Sequence, residues 1–448
     1  MLTNGYDYVF SLSRDEVNTI LNDNLKDKEI QLEYQTTDAD SGTQVVLHFQ
    51  LSPWKIVAGG GGKLVNFSLP VKQGYMSLEG GALPSNSYDL TGIALVIQVE
   101  LGWLGAGDEL QTEGSGDVDR LIFDPRSNVK NPGYVSPVAI LDADGQLDTI
   151  GKGVLNAVLV NALVANKDKL QYILANVNPE PANTSSWLKP YKWQYFNVDS
   201  KAGPSALAFL CQLSDKPFPA QATFDADNLS AADNSLVLIS QPVFFDHVVL
   251  PAVRSAFPGG AFTASVGVGE QVTITNQGEF DLGRVTAYQF SLHTSDSGNG
   301  LRIAASGGGS LKFFFGLGSL PHAHYHWSVT AVNPLQYSNG KISFVKDAKP
   351  AITHDHNMHW YDWALIAAVG ITSTSGLVSA IVDGINDWYD NSEAMGLNNI
   401  NNAIQASAID SVVNLTDLID WNKPGESFQP TTAGLQTSLF VRGNLSSH

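Results

Sequence analysis

Six of the ten histidines in this 448-residue chain fall between residues 322 and 359, and imidazoles at that density could hold a transition metal or titrate together near neutral pH. His322, His324 and His326 alternate with Ala323 and Tyr325, so a strand would point all three toward one face. His354, His356 and His359 follow a short loop after Pro350. A tetrahedral zinc site drawing on both groups is geometrically open. Against it, no cysteine is near and neither segment carries His-Glu-x-x-His. A solvated polar strand face and a pH-sensitive contact are the other two readings, and no metal is expected.

The remaining chemistry-bearing residues also favour structural roles. Asp142-Ala143-Asp144-Gly145-Gln146-Leu147-Asp148 begins like a calcium loop but lacks the glutamate at the twelfth position, and Asp-Gly between strand-like runs is first a turn signal. Cys211, the one cysteine, cannot form an internal disulfide and sits in the apolar run Leu207 to Leu213, which predicts a buried, inert thiol. Gly59 to Gly62 has no following Lys-Ser/Thr and no strand-to-helix context, so a bulge or loop is expected rather than a phosphate cradle. With no Gly-x-Ser-x-Gly elbow, Walker loop or other catalytic constellation, the chain reads as no enzyme, with no catalytic residues and no cofactor.

One segment reads as a contact surface. Trp187-Leu188-Lys189-Pro190-Tyr191-Lys192-Trp193-Gln194-Tyr195-Phe196 packs five aromatics and two lysines into ten residues. Trp and Tyr favour the bilayer interface and lysine stems can snorkel to headgroups, so Trp187, Lys189, Tyr191, Lys192 and Trp193 are candidate headgroup or membrane contacts. The competing reading is a strand start whose aromatics fill a core.

Charge narrows the partners. Lys+Arg 25 against Asp+Glu 44 leaves a net charge of −19, so nucleic-acid phosphates and anionic bilayers repel the chain at long range, and lipid contact has to be local and apolar. Nucleic acid is excluded as a partner. Residues 1–10 show neither a basic nor an apolar signal region, which predicts a protein kept in the producer's cytoplasm or released without a cleaved signal peptide.

These residues must be positioned by a mixed set of elements. Ser13 followed by Glu16 is a capping box, and Val17, Ile20, Leu21 and Leu25 recur on one face, so a helix starts near Asp15. From Glu29 to Leu147, short alternating runs between Gly, Pro, Asn and Asp predict an antiparallel sheet. Apolar residues from Ile150 to Val177 trace a helix of about 40 Å with a hydrophobic arc wide enough to need wrapping on several sides. Pro179 and Pro181 end it, placing a module boundary near residues 178–186 and dividing the chain into 1–182 and 183–448. Strands then run from Tyr191 to about Val345. Trp360 to Ile385 and Ile400 to Ile419 read as helical, and Leu435 to Val441 as a closing strand. Asp362, Asp383 and the Thr372-to-Gly376 insert make the apolar zone after Trp360 a poor transmembrane helix.

Five segments carry a resemblance. Gly5-Tyr6-Asp7-Tyr8-Val9 ahead of the Ser13-capped helix is similar to the start of the forty-seven-kilodalton accessory proteins encoded beside clostridial neurotoxins in OrfX-type clusters. Trp54-Lys55-Ile56-Val57-Ala58-Gly59-Gly60 resembles that family's Trp-x-Ile-x-x-Gly-Gly run, and Pro70-Val71-Lys72-Gln73-Gly74-Tyr75 its Pro-x-Lys-x-Gly-aromatic turn. Asp89-Leu90-Thr91-Gly92 and Leu238-Ile239-Ser240 with Phe244 and Leu250-Pro251 extend the match, which fades after about Pro258.

The resemblance implies an α+β, tubular lipid-binding (TULIP-like) architecture in which curved antiparallel sheets wrap long helices in two modules. It also implies a lipid-related role in a toxin cluster, with no catalytic residues to carry over. The expected function is therefore non-catalytic lipid binding, a phospholipid or phosphoinositide being held by its acyl chains in an apolar groove lined by Leu155, Leu159, Leu163 and Trp363. The alternatives are a toxin-complex component acting through protein partners, and a stand-alone insecticidal or membrane-permeabilising toxin.

Overall fold

Ser13 turns the chain from strand into helix: its hydroxyl accepts the Glu16 N–H, satisfying a donor that the first helical turn leaves unpaired. The structure, a computed structural model, describes residues 1–107, 109–126, 132–178, 186–200, 204–225, 228–230, 232–282, 285–312, 322–338, 341–345, 347–357, 418–421 and 426–447. Trp363, His359, Pro179, Pro181, residues 360–385 and residues 400–417 of the stretch 400–419, both expected to be helical, lie outside the described residues, and Ile419 begins a strand.

The chain folds into two compact units, one of Asn4–Val237, Asn414–Thr431 and Arg442–His448, the other of Met1–Thr3, Leu238–Val413 and Thr432–Val441. Neither matches the expected 1–182 and 183–448, because the strands after residue 182 pair with the amino-terminal ones. In the first unit the chain forms β1 (Tyr8–Ser13), α1 (Arg14–Leu25), β2 (Ile30–Thr37), β3 (Gln44–Leu51), β4 (Lys55–Gly61), β5 (Leu64–Glu79), β6 (Asn86–Asp89) and β7 (Ala94–Glu100). There follow β8 (Gly102–Leu104), β9 (Leu110–Gln111), β10 (Gly114–Ser115), β11 (Arg120–Phe123), β12 (Val135–Leu141), α2 (Thr149–Ala165), α3 (Lys167–Leu170), β13 (Tyr172–Val177), β14 (Lys192–Val198), β15 (Ala206–Gln212) and the first half of β16 (Ser235–Ser240).

Of the single sheet expected over residues 29–147, β2 to β7 and β12 form one sheet, whereas β8, β9 and β11 belong to a separate sheet with β13, and β10 pairs with β14. The order of the main sheet is β12-β7-β5-β3-β2, with β4 and β6 also on β5, and its pairings are antiparallel. The glycine run is a bulge: β4 slips register against β5 between Val57 and Gly60, and Gly59 to Gly62 all have positive φ, which only glycine adopts freely. The bulge is anchored, since the Gly59 N–H donates to Asp199 at 2.7 Å and Asp199 also pairs with Arg14 at 2.8 Å. Helix α1 buries Val17, Ile20, Leu21 and Leu25, and its Asn18 brackets Ile56 of β4, accepting from that residue's N–H at 2.7 Å and donating to its carbonyl at 2.9 Å.

A second sheet runs β1 between β15 and β16, with β14 beyond β15; all seven residues of β15, Cys211 among them, are buried. Burial pushes the Cys211 thiol well above its ordinary value, as expected of an inert group.

The long helix is shorter than its periodicity predicts. Helix α2 stops at Ala165, and Tyr172 to Val177 pair antiparallel with β11 as β13. The reason is Asn166. Its side chain donates to the carbonyls of Ala162 and of Glu33, both at 2.9 Å, and accepts the Glu33 N–H at 3.4 Å, fixing a turn where a helical Asn could not reach β2. Nor is α2 wrapped on several sides: only Gly151, Leu155, Leu159, Ala162 and Leu163 are buried, a single stripe against β2 and β12.

In the second unit, α4 (Gln241–Phe244) leads through a π-turn, Phe245–Val249, into α5 (Leu250–Ala256). The strands are β17 (Phe262–Val266), β18 (Val272–Asn276), β19 (Phe280–Leu282), β20 (Val285–Thr294), β21 (Gly300–Lys312), β22 (His322–Ser338), β23 (Lys341–Phe344) and β24 (Ala351–Asn357). They form an eight-stranded sheet around a cluster of Phe257, Phe262, Phe280 and Phe290, with ring centroids 5.0 to 6.1 Å apart. The chain ends with β25 (Ile419–Asp420), β26 (Glu426–Leu435) and β27 (Ser438–Ser447), so the expected closing strand is instead a hairpin turning at Gln436. The architecture is α+β and mostly antiparallel.

Candidate functional site

The predicted lipid-lining leucines sit on α2, whose start is built by two aspartates. Asp148 caps the helix by accepting from the Gly151 N–H at 2.7 Å and from the Tyr88 hydroxyl at 3.0 Å. Asp142 closes the preceding turn by accepting from Leu147 N at 3.0 Å and Gln146 N at 2.8 Å, and Lys152 lies 3.2 Å away. This is the turn the sequence predicted. The Leu147 N–H holds the Asp142 carboxyl below its usual range, and the Gly151 N–H does the same for Asp148. Because the folded values are depressed, the unfolded chain takes up protons first as pH falls, and the stability these caps contribute above about pH 4 is lost through the acid range. A urea midpoint that falls between pH 7 and pH 3, and falls less in Asp148→Asn, is the expected result.

Leu155, Leu159 and Leu163 are fully covered by β2 and β12, so they line no open groove. Other apolar side chains of the same two elements reach the surface. Val154, Val158 and Val164 of α2 are half-buried, Ile150 is 41% exposed, and on β12, at the sheet edge, Val138 is 51% and Leu141 55% exposed. The helix thus carries more apolar surface than its own sheet covers.

The aromatic and lysine segment divides. Trp193 is fully buried, its ring 6.3 Å from Trp103, which meets Phe209 at 5.8 Å, and Phe209 meets Trp421 at 5.0 Å. Trp193 is therefore a core residue and not a membrane contact. The indole lies so close over its cross-strand neighbour Gly114 that a Cβ there would come within 1.9 Å of it, which is why that position is glycine. Tyr195 is buried too, its hydroxyl accepting the Leu101 N–H at 2.8 Å and donating to the Lys63 carbonyl. Lys192 lies over the Phe218 ring at 5.0 Å, Trp187 and Lys189 are half-buried, and Tyr191 is 52% exposed. The sequence could not separate these because β14 is buried on both faces.

Register parts positions 322, 324 and 326 from positions 354 and 356. His324 pairs with Asn357, His326 with Asp355, Trp327 with His354 and Tyr325 with His356. Directly opposed residues share a sheet face, so positions 322, 324 and 326 lie with 355 and 357, and positions 354 and 356 lie on the other face with buried Trp327.

The site that sequence reasoning missed is a polar cleft of about 570 Å³ in the second unit. Gln241, at the start of α4 and 1% exposed, organises it: its amide donates to the Thr294 hydroxyl and, at 3.3 Å, to the Gln436 carbonyl, and its oxygen accepts the Val272 N–H. The lining as a whole, Gln241 included, holds three glutamines, five hydroxyl side chains, His293, Asp296 and Gly298, and no aliphatic residue. They come from four separate segments, and nothing in their spacing announces them.

The model of the family described as OrfX-like, protein OrfX2/OrfX3/P47, matches residues 3–296. Protein P47 of Clostridium botulinum (strain Kyoto / Type A2) is 22% identical over 461 residues, spanning 99% of this chain and 100% of that protein. The structure of P47 from C. botulinum A2 matches with a TM-score of 0.72 at 20% identity, over 99% of this chain and 98% of that one. The crystal structure of P47 of C. botulinum E1 matches at 0.71 and 17%, over 99% of both chains. These likenesses agree with the α+β fold described above, and since the family's match takes in well over half of the sequence, the chain belongs to the OrfX-like family of OrfX2, OrfX3 and P47 proteins.

Proposed function

We propose that the protein is a non-catalytic lipid-binding member of a bacterial toxin cluster, taking acyl chains along α2 and β12. The observation that supports this reading is the apolar surface left over on that helix and edge strand: Val138, Leu141 and Ile150 exposed, with Val154 and Val158 half-buried beside the covered leucine stripe. Each methylene taken from water onto such a surface gains about 0.8 kcal/mol. The net charge of −19 is consistent with apolar rather than anionic-headgroup attraction. Since Leu155, Leu159 and Leu163 are closed over, an acyl chain first meets the valines and reaches the leucines only if β12 moves aside.

The rival is a component that works through protein partners in the same cluster, with the apolar strip as its docking face. A membrane-permeabilising role would fall to residues 360–385, outside the described residues; among the described residues no helix is long and apolar enough to cross a membrane.

Native mass spectrometry of the purified protein with organic extraction, after incubation with mixed liposomes, tests the reading. A stoichiometric lipid is expected, reduced severalfold in a Val154→Asp, Val158→Asp variant whose melting temperature is little changed. If no lipid is bound, or if the double variant binds as much as the parent, the reading fails and a protein partner becomes the better account.

A further inference from the structure

We propose that the polar cleft of the second unit is a binding site for a neutral saccharide, independent of the lipid reading. Its volume of about 570 Å³ falls within the about 300–1,000 Å³ of small-molecule sites. The lining selects the ligand by chemistry. Amides and hydroxyls both donate and accept, which matches a ring of hydroxyl groups that do the same. The lining has no lysine or arginine, and the cation next to it, the Met1 ammonium, is already donating to Gln436 Oε1 at 3.0 Å, so a phosphate finds no counter-charge among the lining side chains. The one carboxylate, Asp296, is held by Arg302 at 2.9 Å, so no acidic cluster awaits a divalent cation. The lack of aliphatic side chains rules against an acyl chain.

The donors and acceptors are fixed before any ligand arrives. His293 Nδ1 lies 2.8 Å from the Thr294 carbonyl, which can only accept, so the ring proton sits on Nδ1 and the neutral imidazole keeps Nε2 as an acceptor. Thr273 stands directly opposite His293 across the β18–β20 pair and adds a hydroxyl on the same face. The rim is a turn in which Gly298 and Asn299 both have positive φ. Ser295 holds it by donating its N–H to Gly300 O and its hydroxyl to Gly298 O, both at 2.8 Å. Gln241 is fully engaged in holding α4, β18, β20 and the β26–β27 turn together, so the cleft is assembled by a buried residue and recognition falls to the half-exposed ones. A site of this kind rejects analogues lacking the matching hydroxyls, because its own polar groups then lose their partners.

The test is saturation-transfer NMR on the full chain with lactose, maltotriose and chitotriose. A parallel arm measures co-sedimentation with phosphatidylcholine vesicles with and without a neutral glycosphingolipid. Transfer to at least one free sugar, or sedimentation only with the glycolipid, is expected, and the arm that responds tells a free saccharide from a lipid-borne one. His293→Phe and Thr273→Val should each weaken the response about tenfold without lowering the melting temperature; Ser297→Ala, on the exposed rim, serves if either variant fails to fold. No response in either arm, or a response unchanged in the folded variants, overturns the proposal.

Discussion

Trp193→Ala is expected to destabilise the protein by about 3–5 kcal/mol, the usual result of deleting a fully buried indole. The side chain has no exposed surface and heads a chain of rings running through Trp103 and Phe209 to Trp421 and Phe10. Its removal leaves a cavity that Gly114, the residue directly opposite, has no side chain to fill. Trp193→Phe should lose less, because part of the ring packing survives. Tyr191→Ala, two residues earlier and half-exposed, should change stability within about 0.5 kcal/mol. Urea unfolding followed by circular dichroism separates these, and vesicle binding measured on the same proteins separates the two readings of the segment. If Trp193→Ala kept its urea midpoint and lost only membrane binding, the buried placement would be wrong.

Asn166→Ala is expected to lower stability by about 2–3 kcal/mol, more than loss of an exposed asparagine, because two backbone groups lose a partner at once. The side chain accepts the Glu33 N–H and donates to the Glu33 carbonyl, and β2 is the edge of its sheet, so these groups have no neighbouring strand to turn to. Lys169 covers the same edge nearby by donating to the Gln31 carbonyl at 2.9 Å. Asn166→Asp keeps the acceptor toward Glu33 N but sets a carboxylate against Glu33 O and Ala162 O, so it should fare no better than alanine. Hydrogen exchange at the Glu33 amide reads the effect locally: protection should collapse in both variants, and protection equal to the parent's would mean the edge is covered by something else.

Asn166 also shows why the helix prediction ran too far. Leu170, Ile173, Leu174 and Val177 continue the helical spacing of α2, yet Tyr172 to Val177 serve equally well as a strand buried on both sides, and periodicity cannot choose between them. The choice falls to β11, roughly fifty residues earlier in the chain, and to a side chain that reaches back to β2. The same limit governed β14, where Trp193, Gln194 and Tyr195 are all buried, so no alternation marked Trp193 as interior.

What the sequence determined by itself was whatever near neighbours settle: the Ser13 cap, the Asp142 turn, the glycine bulge at Gly59 to Gly62, the antiparallel pattern before residue 147, the buried thiol of Cys211 and the family. Each depends on contacts within a few residues or on burial that a run of apolar side chains makes unavoidable. Tertiary structure decided the rest, because the groups concerned meet across long stretches of chain. The β22–β24 register put positions 322, 324 and 326 on one face and 354 and 356 on the other, pairing chose a strand for residues 172–177, and Gln241 drew Val272, Thr294 and Gln436 together into a cleft. Residues that far apart carry no mutual spacing for a reader to find, since only the closing of the sheets brings them within hydrogen-bonding range.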